Sequence, residues 1–428
     1  GESPYGGRRK AVLDFFHYQK CGVDLEAGVW SHPACHTSAA AVIDASGAET
    51  GEEKDVSGGW HDAGDYGRYI VPAAQAVAQL LLGYEFSSGL DPEVLDVVWF
   101  EIEWMLKMQD EATGGVYHKV SCRNFDGLDE MPQNETGQLV ICPVSATATA
   151  DFAASMALAS RFYPAQKDAL MAAAVRAWEW CEQNPDAPGF RNPSRVGTGE
   201  YGDGSSKDER FWAACELFAA TGEEKYHDYI KSADLFSGLG WNNMGTYGLT
   251  AYLFHAGDRA DGDLTSRMED KLRSACKGIM EKYQDDPYGV SLGANYGWGS
   301  NMEVGNNAMT LLLGSLLFDD APGYAQAALE HMHYLLGKNA LSKSYISGFG
   351  SDPMENPHHR PSVSMKQAVP GMVSGGPNMS LQDNAVKKAC EGQPPAMCYI
   401  DHIDSYSSNE ITIYWNSPVY FVLAVLGL

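Results

Sequence analysis

Asp62 and Asp65 lie three residues apart in the segment Asp55-Val-Ser-Gly-Gly-Trp-His-Asp-Ala-Gly-Asp-Tyr-Gly-Arg-Tyr69. The small Ala-Gly pair between them lets the backbone turn, so both carboxylates can face one cavity and share the activation of a water molecule. Read alone, an acidic pair in a Gly-rich loop serves equally well as a turn or as part of a Ca²⁺ ligand set. A third carboxylate, Glu410, stands in Tyr399-Ile-Asp-His-Ile-Asp-Ser-Tyr-Ser-Ser-Asn-Glu-Ile-Thr-Ile-Tyr-Trp-Asn-Ser417, where it begins an apolar helical run. Capping or dipole stabilisation is the ordinary use of such a residue. Between these segments, Ser344–Arg360 ends in His358, His359 and Arg360 after a Gly/Pro-rich loop. That group suits the binding of polar hydroxyls, and alone it could equally be a structural turn.

Two further sets could hold ions. Cys21, Cys35, His36 and His61 are a two-Cys, two-His set that fits tetrahedral Zn²⁺ and leaves no open position, so such an ion would be structural. Spacing alone carries little here, because Cys21, Cys35 and His61 are far apart. Asp203, Asp208 and Glu209 place three carboxylates within seven residues, an oxygen-rich set suited to Ca²⁺ or, more plainly, an acidic helix start. The nine cysteines cannot all pair with one another. Cys181, Cys215 and Cys276 sit in helical patterns and read as buried thiols, and Cys390 and Cys398 are close enough in sequence to bridge a loop.

Helical periodicity supplies the frame for these residues. Asp91–Gln109 opens with Asp91 at an N-cap and Pro92 at the first helical position, then sets Leu95, Val98, Trp99, Ile102, Met105 and Leu106 on one face. Similar patterns cover Arg8–Gln19, Tyr69–Leu82, Ser145–Phe162, Ala165–Cys181, Asp208–Thr221, Glu223–Phe236, Gly248–Phe254, Leu264–Tyr283, Asn301–Phe318, Gly323–Leu336 and Asn409–Leu426. That makes about a dozen helices, with no linker or charge block to divide the chain, so one domain over 1–428 is expected. Three long stretches lack periodicity: Ser31–Arg68, Ala112–Pro143 and Gly337–Met397. Loops of that length on a helical scaffold point to a site built at one end of it.

Composition removes several classes. The balance of 30 Lys+Arg against 56 Asp+Glu, a net charge of −26, argues against nucleic acid and anionic membrane surfaces as partners. A hydrophobic fraction of 44 % supports a large core rather than disorder. The apolar stretches Met309–Phe318 and Pro418–Leu428 are far shorter than the roughly 20 residues of a spanning helix. There is no Gly-rich phosphate loop and no nucleophile elbow, which lowers nucleotide enzymes and serine hydrolases.

Together the three loop segments resemble glycoside hydrolase family 9, the inverting cellulases. The Asp-Ala-Gly-Asp loop is where that family carries its general base. Ser344–Arg360 is similar to its first signature, with His358 and Arg360 at active-site positions, and departs at Asp352, where a basic residue or Asn is usual. Tyr399–Ser417 matches the second signature at Tyr399, Asp401, Tyr406, Glu410, Thr412, Asn416 and Ser417, with Glu410 on the general acid. Gly115-Val-Tyr-His-Lys119, Ser145–Asp151, Gly293–Asn301 and Gly375–Asp383 resemble further family stretches, and the likeness runs from about residue 11 to the C-terminus.

The resemblance implies an all-α (α/α)6 barrel of about twelve helices, with long loops forming an open, aromatic-lined cleft. It implies an endo-β-1,4-glucanase acting with inversion, in which Asp65 is the base, Asp62 helps hold the water and Glu410 is the acid. His358, Arg360 and Tyr406 would bind substrate, and Trp298, Tyr296 and Trp415 are candidates for stacking on sugars. The partners expected are cellulose, cellodextrins and related β-1,4-glucans, mixed-linkage glucan and xyloglucan included. One branch of the family has Cys, Cys-His and His at the positions of Cys21, Cys35-His36 and His61, which supports structural zinc. That branch often carries an N-terminal immunoglobulin-like domain, which this sequence does not include. Asp203, Asp208 and Glu209 resemble a calcium-binding loop of the family, and no organic cofactor is expected. Secretion is expected, with a signal peptide that is not part of this sequence. The rivals are an exo-acting cellodextrinase or cellobiohydrolase, in which Ala112–Pro143 would block one cleft end, a non-catalytic glucan-binding protein, and a zinc hydrolase, which would need an open metal position.

Overall fold

A computed structural model describes residues 6–428. Among them are twelve helices of nine residues or more, one for each of the twelve periodic segments. They divide by how much of their surface is apolar. Ile70–Phe86, Ala146–Ala159, Lys207–Thr221, Gly245–His255, Ser300–Leu317 and Ile413–Val425 are buried on nearly every side. A helix without a polar face must sit inside. These six form an inner layer in which Ile413–Val425 packs on both Ile70–Phe86 and Ser300–Leu317, and contacts pass from Ile70–Phe86 through Ala146–Ala159 and Lys207–Thr221 to Gly245–His255.

Amphipathic helices lie outside this layer and bury one stripe each. Gly262–Asp285 buries Leu264, Met268, Leu272 and Cys276, and Lys167–Gln183 buries Leu170, Ala174, Ala177, Trp178 and Cys181. The result is an (α/α)6 barrel with one contiguous core running from Val12 to Ala424. No helix among the described residues is long and apolar enough to cross a membrane.

Some helix ends follow the expected chemistry. Gly222 closes Lys207–Thr221 in the left-handed conformation, and the Ser145 hydroxyl caps Ala146–Ala159 by accepting the N–H of Ala148. The start at Asp91 does not. Asp91-Pro92-Glu93 forms a turn, with Val94 N–H on the Asp91 carbonyl at 3.1 Å, and the helix runs Val94–Lys107. The Asp91 carboxylate is taken by Arg9 Nε at 2.9 Å and the Tyr420 hydroxyl at 3.0 Å, so a tertiary contact displaces the cap.

The long loops hold structure that has no periodic trace. The first two build a five-stranded sheet in the order β2-β1-β5-β4-β3, from β1 (Ala40–Ile43), β2 (Glu49–Lys54), β3 (Arg68–Tyr69), β4 (Lys119–Cys122) and β5 (Leu139–Ile141). Only β1 and β5 run parallel. β3 follows directly on the Asp62/Asp65 loop and pairs with β4, which fixes the exit of that loop. All nine cysteines are free and buried, Cys390 and Cys398 included.

Candidate active site

The Asp62/Asp65 loop is held from behind at almost every residue. Glu101 accepts the Trp60 N–H at 2.6 Å, and Gln19 Nε2 donates to the carbonyls of His61 at 2.8 Å and Ala63 at 3.0 Å. Arg68, buried under the loop, donates to the Val56 and Gly58 carbonyls. Gly64 packs so tightly that a Cβ would lie 2.0 Å from the His358 carbonyl oxygen, so the Ala-Gly spacer is a steric requirement.

Glu410 reaches the same place from the far end of the chain. It precedes the helix rather than capping it: its backbone is extended, and the Thr412 hydroxyl caps Ile413–Val425. Glu410 pairs as a bridge with His358, and its carbonyl accepts the Gly375 N–H at 2.9 Å. Asp401 joins the two signature segments by accepting the N–H groups of Glu355 at 2.8 Å and Asn356 at 2.7 Å. The departing Asp352 pairs with Lys343 at 3.0 Å, and the same ammonium reaches Asp401 at 3.2 Å, so the change is absorbed locally.

The three carboxylates line one cleft of about 750 Å³. Burial pushes Glu410 well above the usual carboxylate range, and the charges of Asp65 and Asp62 push it further, while Arg360 and the Gly64 N–H pull it back. Asp62 is also raised well above its ordinary value, by burial first, against the Tyr201 hydroxyl that donates to its Oδ2. Asp65 is raised by burial as well, but Arg360, the Gly67 N–H at 3.0 Å and the Tyr69 hydroxyl at 3.2 Å all favour its ionised form. Of the three, Asp65 is the carboxylate best provided with partners for an anion.

The cleft walls carry aromatic rings. Trp298 and Tyr406 are 47 % and 37 % exposed with ring centroids 5.6 Å apart, and His358 lies 6.0 Å from Tyr406. Tyr296 does not join them. It is buried in the core, away from the cleft lining, and its carbonyl holds the Met379 N–H. Trp415 reaches the cleft wall but is only 2 % exposed, with its ring wedged under Gly299 and Gly375, so it supports the wall and offers no free face. Trp241, Tyr201 and Phe125 line the cleft without having stood out in the sequence.

The wall that carries Tyr201 is bracketed by the stretch Gly115–Lys119. His118 sets one ring nitrogen on the Ser145 hydroxyl at 2.8 Å and the other on the Glu200 carbonyl at 2.9 Å. Burial lowers its pKa to about 3, so it works as a neutral ring. The Lys119 ammonium, completely buried, donates to Asn192 Oδ1 at 2.8 Å, to Thr198 Oγ1 at 2.9 Å and to the Gly199 carbonyl, which uses all three of its donors. Burial brings its pKa down to about 8.

Cys21, Cys35, His36 and His61 are all buried, with ligand atoms within 4.8 Å of one another, a group that could hold a metal ion. Cys21 Sγ lies 3.6 Å from His36 Nδ1 and 3.9 Å from Cys35 Sγ, and Cys35 Sγ lies 3.7 Å from His61 Nε2. His36 turns its other nitrogen to Glu135 Oε2 at 2.9 Å, a partner from the second long loop that sequence spacing could not reveal. The acidic set behaves differently, and among the described residues it is not gathered in the same way. Asp203 accepts the Ser205 N–H at 3.0 Å and Asp208 the Met244 N–H at 2.8 Å, while both oxygens of fully buried Glu209 lack partners.

A helical barrel that brings carboxylates and aromatic rings together in one cleft is suited to hydrolysing glycosidic bonds. The family model for glycosyl hydrolase family 9 matches residues 5–423, and the chain belongs to that family. It is 36 % identical to a cellodextrinase of Butyrivibrio fibrisolvens, over 98 % of this chain and 83 % of that protein. Among solved structures, a thermostable endoglucanase from Alicyclobacillus acidocaldarius superposes with a TM-score of 0.93 at 41 % identity, covering 99 % of this chain and 84 % of the other. A Zn-binding triple mutant of the family 9 endoglucanase J30 gives a TM-score of 0.93 at 30 % identity, over 100 % and 86 % of the two chains.

Proposed function

We propose that this glycoside hydrolase is an endo-acting β-1,4-glucanase that hydrolyses cellulose and cellodextrins with inversion, and that residues 1–428 act as one catalytic unit. The observation that carries the reading is the meeting of Asp62, Asp65 and Glu410 in one aromatic-walled cleft, with unequal support for their ionised forms. Glu410, held protonated by burial and by its two acidic neighbours, gives its proton to the leaving glycosidic oxygen. Asp65, the best stabilised anion, takes a proton from the attacking water. Asp62, fixed by Tyr201, holds that water in line. Inversion places acid and base on opposite faces of the sugar with a water between them. The likeness to a cellodextrinase keeps exo action as the second reading. Viscosity of carboxymethylcellulose against reducing ends released separates the two: an early viscosity collapse supports endo action, and reducing ends that rise with little viscosity loss support exo. A polymeric, insoluble substrate also fits action outside the cell.

We propose Zn²⁺ as the metal of the Cys21, Cys35, His36 and His61 group. Bonds of ~2.3 Å to sulfur and ~2.0–2.1 Å to nitrogen at tetrahedral angles set neighbouring ligand atoms about 3.3–3.8 Å apart. The separations of 3.6 and 3.7 Å fall inside that range and 3.9 Å just beyond it, and the whole set lies within 4.8 Å, so binding would draw the ligands slightly inward. Glu135 behind His36 is the carboxylate partner such a ligand usually has. With four protein ligands, the ion supplies folding energy and no chemistry. Calcium at Asp203, Asp208 and Glu209 rests mainly on the buried, partnerless oxygens of Glu209, whose ionised form is opposed by burial and by Asp151 and Asp208 and would be favoured by a cation there. A rise in melting temperature on adding calcium to chelator-treated protein supports that ion, and no change counts against it.

A further inference from the structure

Phe125 is 50 % exposed, and its ring stands at the cleft that holds the three carboxylates. A large apolar ring is costly to leave in water, yet the segment around it is pinned so as to keep it there. The Arg123 carbonyl accepts the Gly197 N–H at 2.7 Å, the Asp126 carbonyl accepts Arg360 Nη2 at 2.9 Å, and the Glu130 carbonyl accepts the Tyr66 hydroxyl at 2.6 Å. The Arg360 guanidinium lies over the ring, 5.6 Å from its centroid, and is itself held by the Gly64 carbonyl at 2.8 Å. A cation against the ring on a fixed guanidinium sets its orientation.

The placement has a counterpart. His358 lies against Tyr406, and Arg360, two residues on, lies against Phe125. One short segment therefore supports an aromatic ring from each of two residues beside Glu410, which bridges to His358. β-1,4-Linked glucosyl units carry their hydroxyls around the ring edge and present C–H groups on both faces. Such a flat apolar face stacks on an exposed aromatic ring, while the edge takes polar partners.

We propose that Phe125, carried on Arg360, is a stacking platform for one glucosyl unit of the bound β-1,4-glucan. The proposal rests on the glucanase reading above and deepens it. The alternative is that Phe125 only covers Arg360 and so tunes Asp65. Kinetics of Phe125→Ala and Phe125→Trp on cellohexaose and cellotriose, with calorimetric titration of cellohexaose into Glu410→Gln and Phe125→Ala/Glu410→Gln, separate these. Stacking predicts that Phe125→Ala raises KM for cellohexaose and weakens its binding about two- to tenfold. It also predicts a smaller effect on kcat, an unmoved pH profile, and recovery in Phe125→Trp. Unchanged cellohexaose affinity overturns the proposal, and so does a loss confined to kcat with a displaced pH limb. If native enzyme degrades no β-1,4-glucan, or Glu410→Gln consumes the ligand during titration, the glucanase or acid assignment fails instead, a result distinct from an unaltered affinity.

Discussion

The Asp62 carbonyl accepts the N–H of Ile413 at 2.8 Å. Through this bond the loop carrying both aspartates is tied to the segment carrying Glu410, three residues from the carboxylate that would act as acid. Helix packing alone would leave the two segments free to slide. The bond, with Gly64 pressed on the His358 carbonyl, sets the spacing between the two aspartates and Glu410 through the backbone.

The two aspartates are expected to separate on mutation. Asp65→Ala should lower kcat about 10²–10⁴-fold, the usual worth of a general base. Asp62→Ala should cost less, or as much if positioning the water dominates. Measuring kcat on cellohexaose checks this, and near-normal turnover by Asp65→Ala would remove it from the base role.

Tyr201→Phe deletes the hydroxyl that donates to Asp62 while keeping the ring contacts with Tyr69, Trp241 and Tyr414. A hydrogen bond to a charged group is worth about 1.5–3 kcal/mol. The expected fall in kcat is therefore about ten- to a hundredfold with the fold intact, read from kcat beside the melting temperature. An unchanged kcat would show that Asp62 needs no fixing.

The pH profile follows from the shifts. The base must be ionised and the acid protonated. Asp65 is raised from 3.8, so the acid limb of kcat/KM should lie above 3.8, and Glu410 is raised well above 4.5, so the alkaline limb should lie well above 4.5. Arg360 lowers both carboxylates. Arg360→Gln should therefore move both limbs to higher pH, and limbs that stay in place or move down would contradict the field ascribed to it.

Much of this architecture could be read from the sequence. Each outer helix buries one stripe, which leaves a period of about 3.6 residues, and each inner helix is apolar on nearly every side, which leaves a long run of small and apolar residues, so all twelve long helices carry a visible trace. The five strands carry none: β2 is almost wholly exposed and β3 is two residues long, so no alternation develops. Asp62, Asp65 and Glu410 stand out because small or polar neighbours surround them. Tyr201 does not, since its value comes from a contact with Asp62 that only the folded chain creates. Tyr296 and Trp298 lie two residues apart in one aromatic-rich stretch, and nothing local shows that one ring turns into the core and the other into the cleft. Glu135 and Lys119 likewise gain their meaning from partners on distant loops.

The metal group allows a test independent of turnover. Cys35→Ser should lower bound zinc and the melting temperature, because binding energy there is folding energy. Some activity should remain, since the loss comes from misplaced aspartates. Elemental analysis with thermal unfolding checks this. Native protein free of zinc would contradict the zinc reading, and inhibitors that bind the ion directly and stop turnover would contradict its structural role.

The most direct test of the account is the configuration of the first product. Proton NMR of cellohexaose during the opening moments of hydrolysis reports which anomer of the new reducing end appears before mutarotation mixes them. Water activated by Asp65 on the face opposite Glu410 gives the α-anomer first. The β-anomer appearing first would mean a double displacement and would contradict the water-activating roles assigned to Asp65 and Asp62.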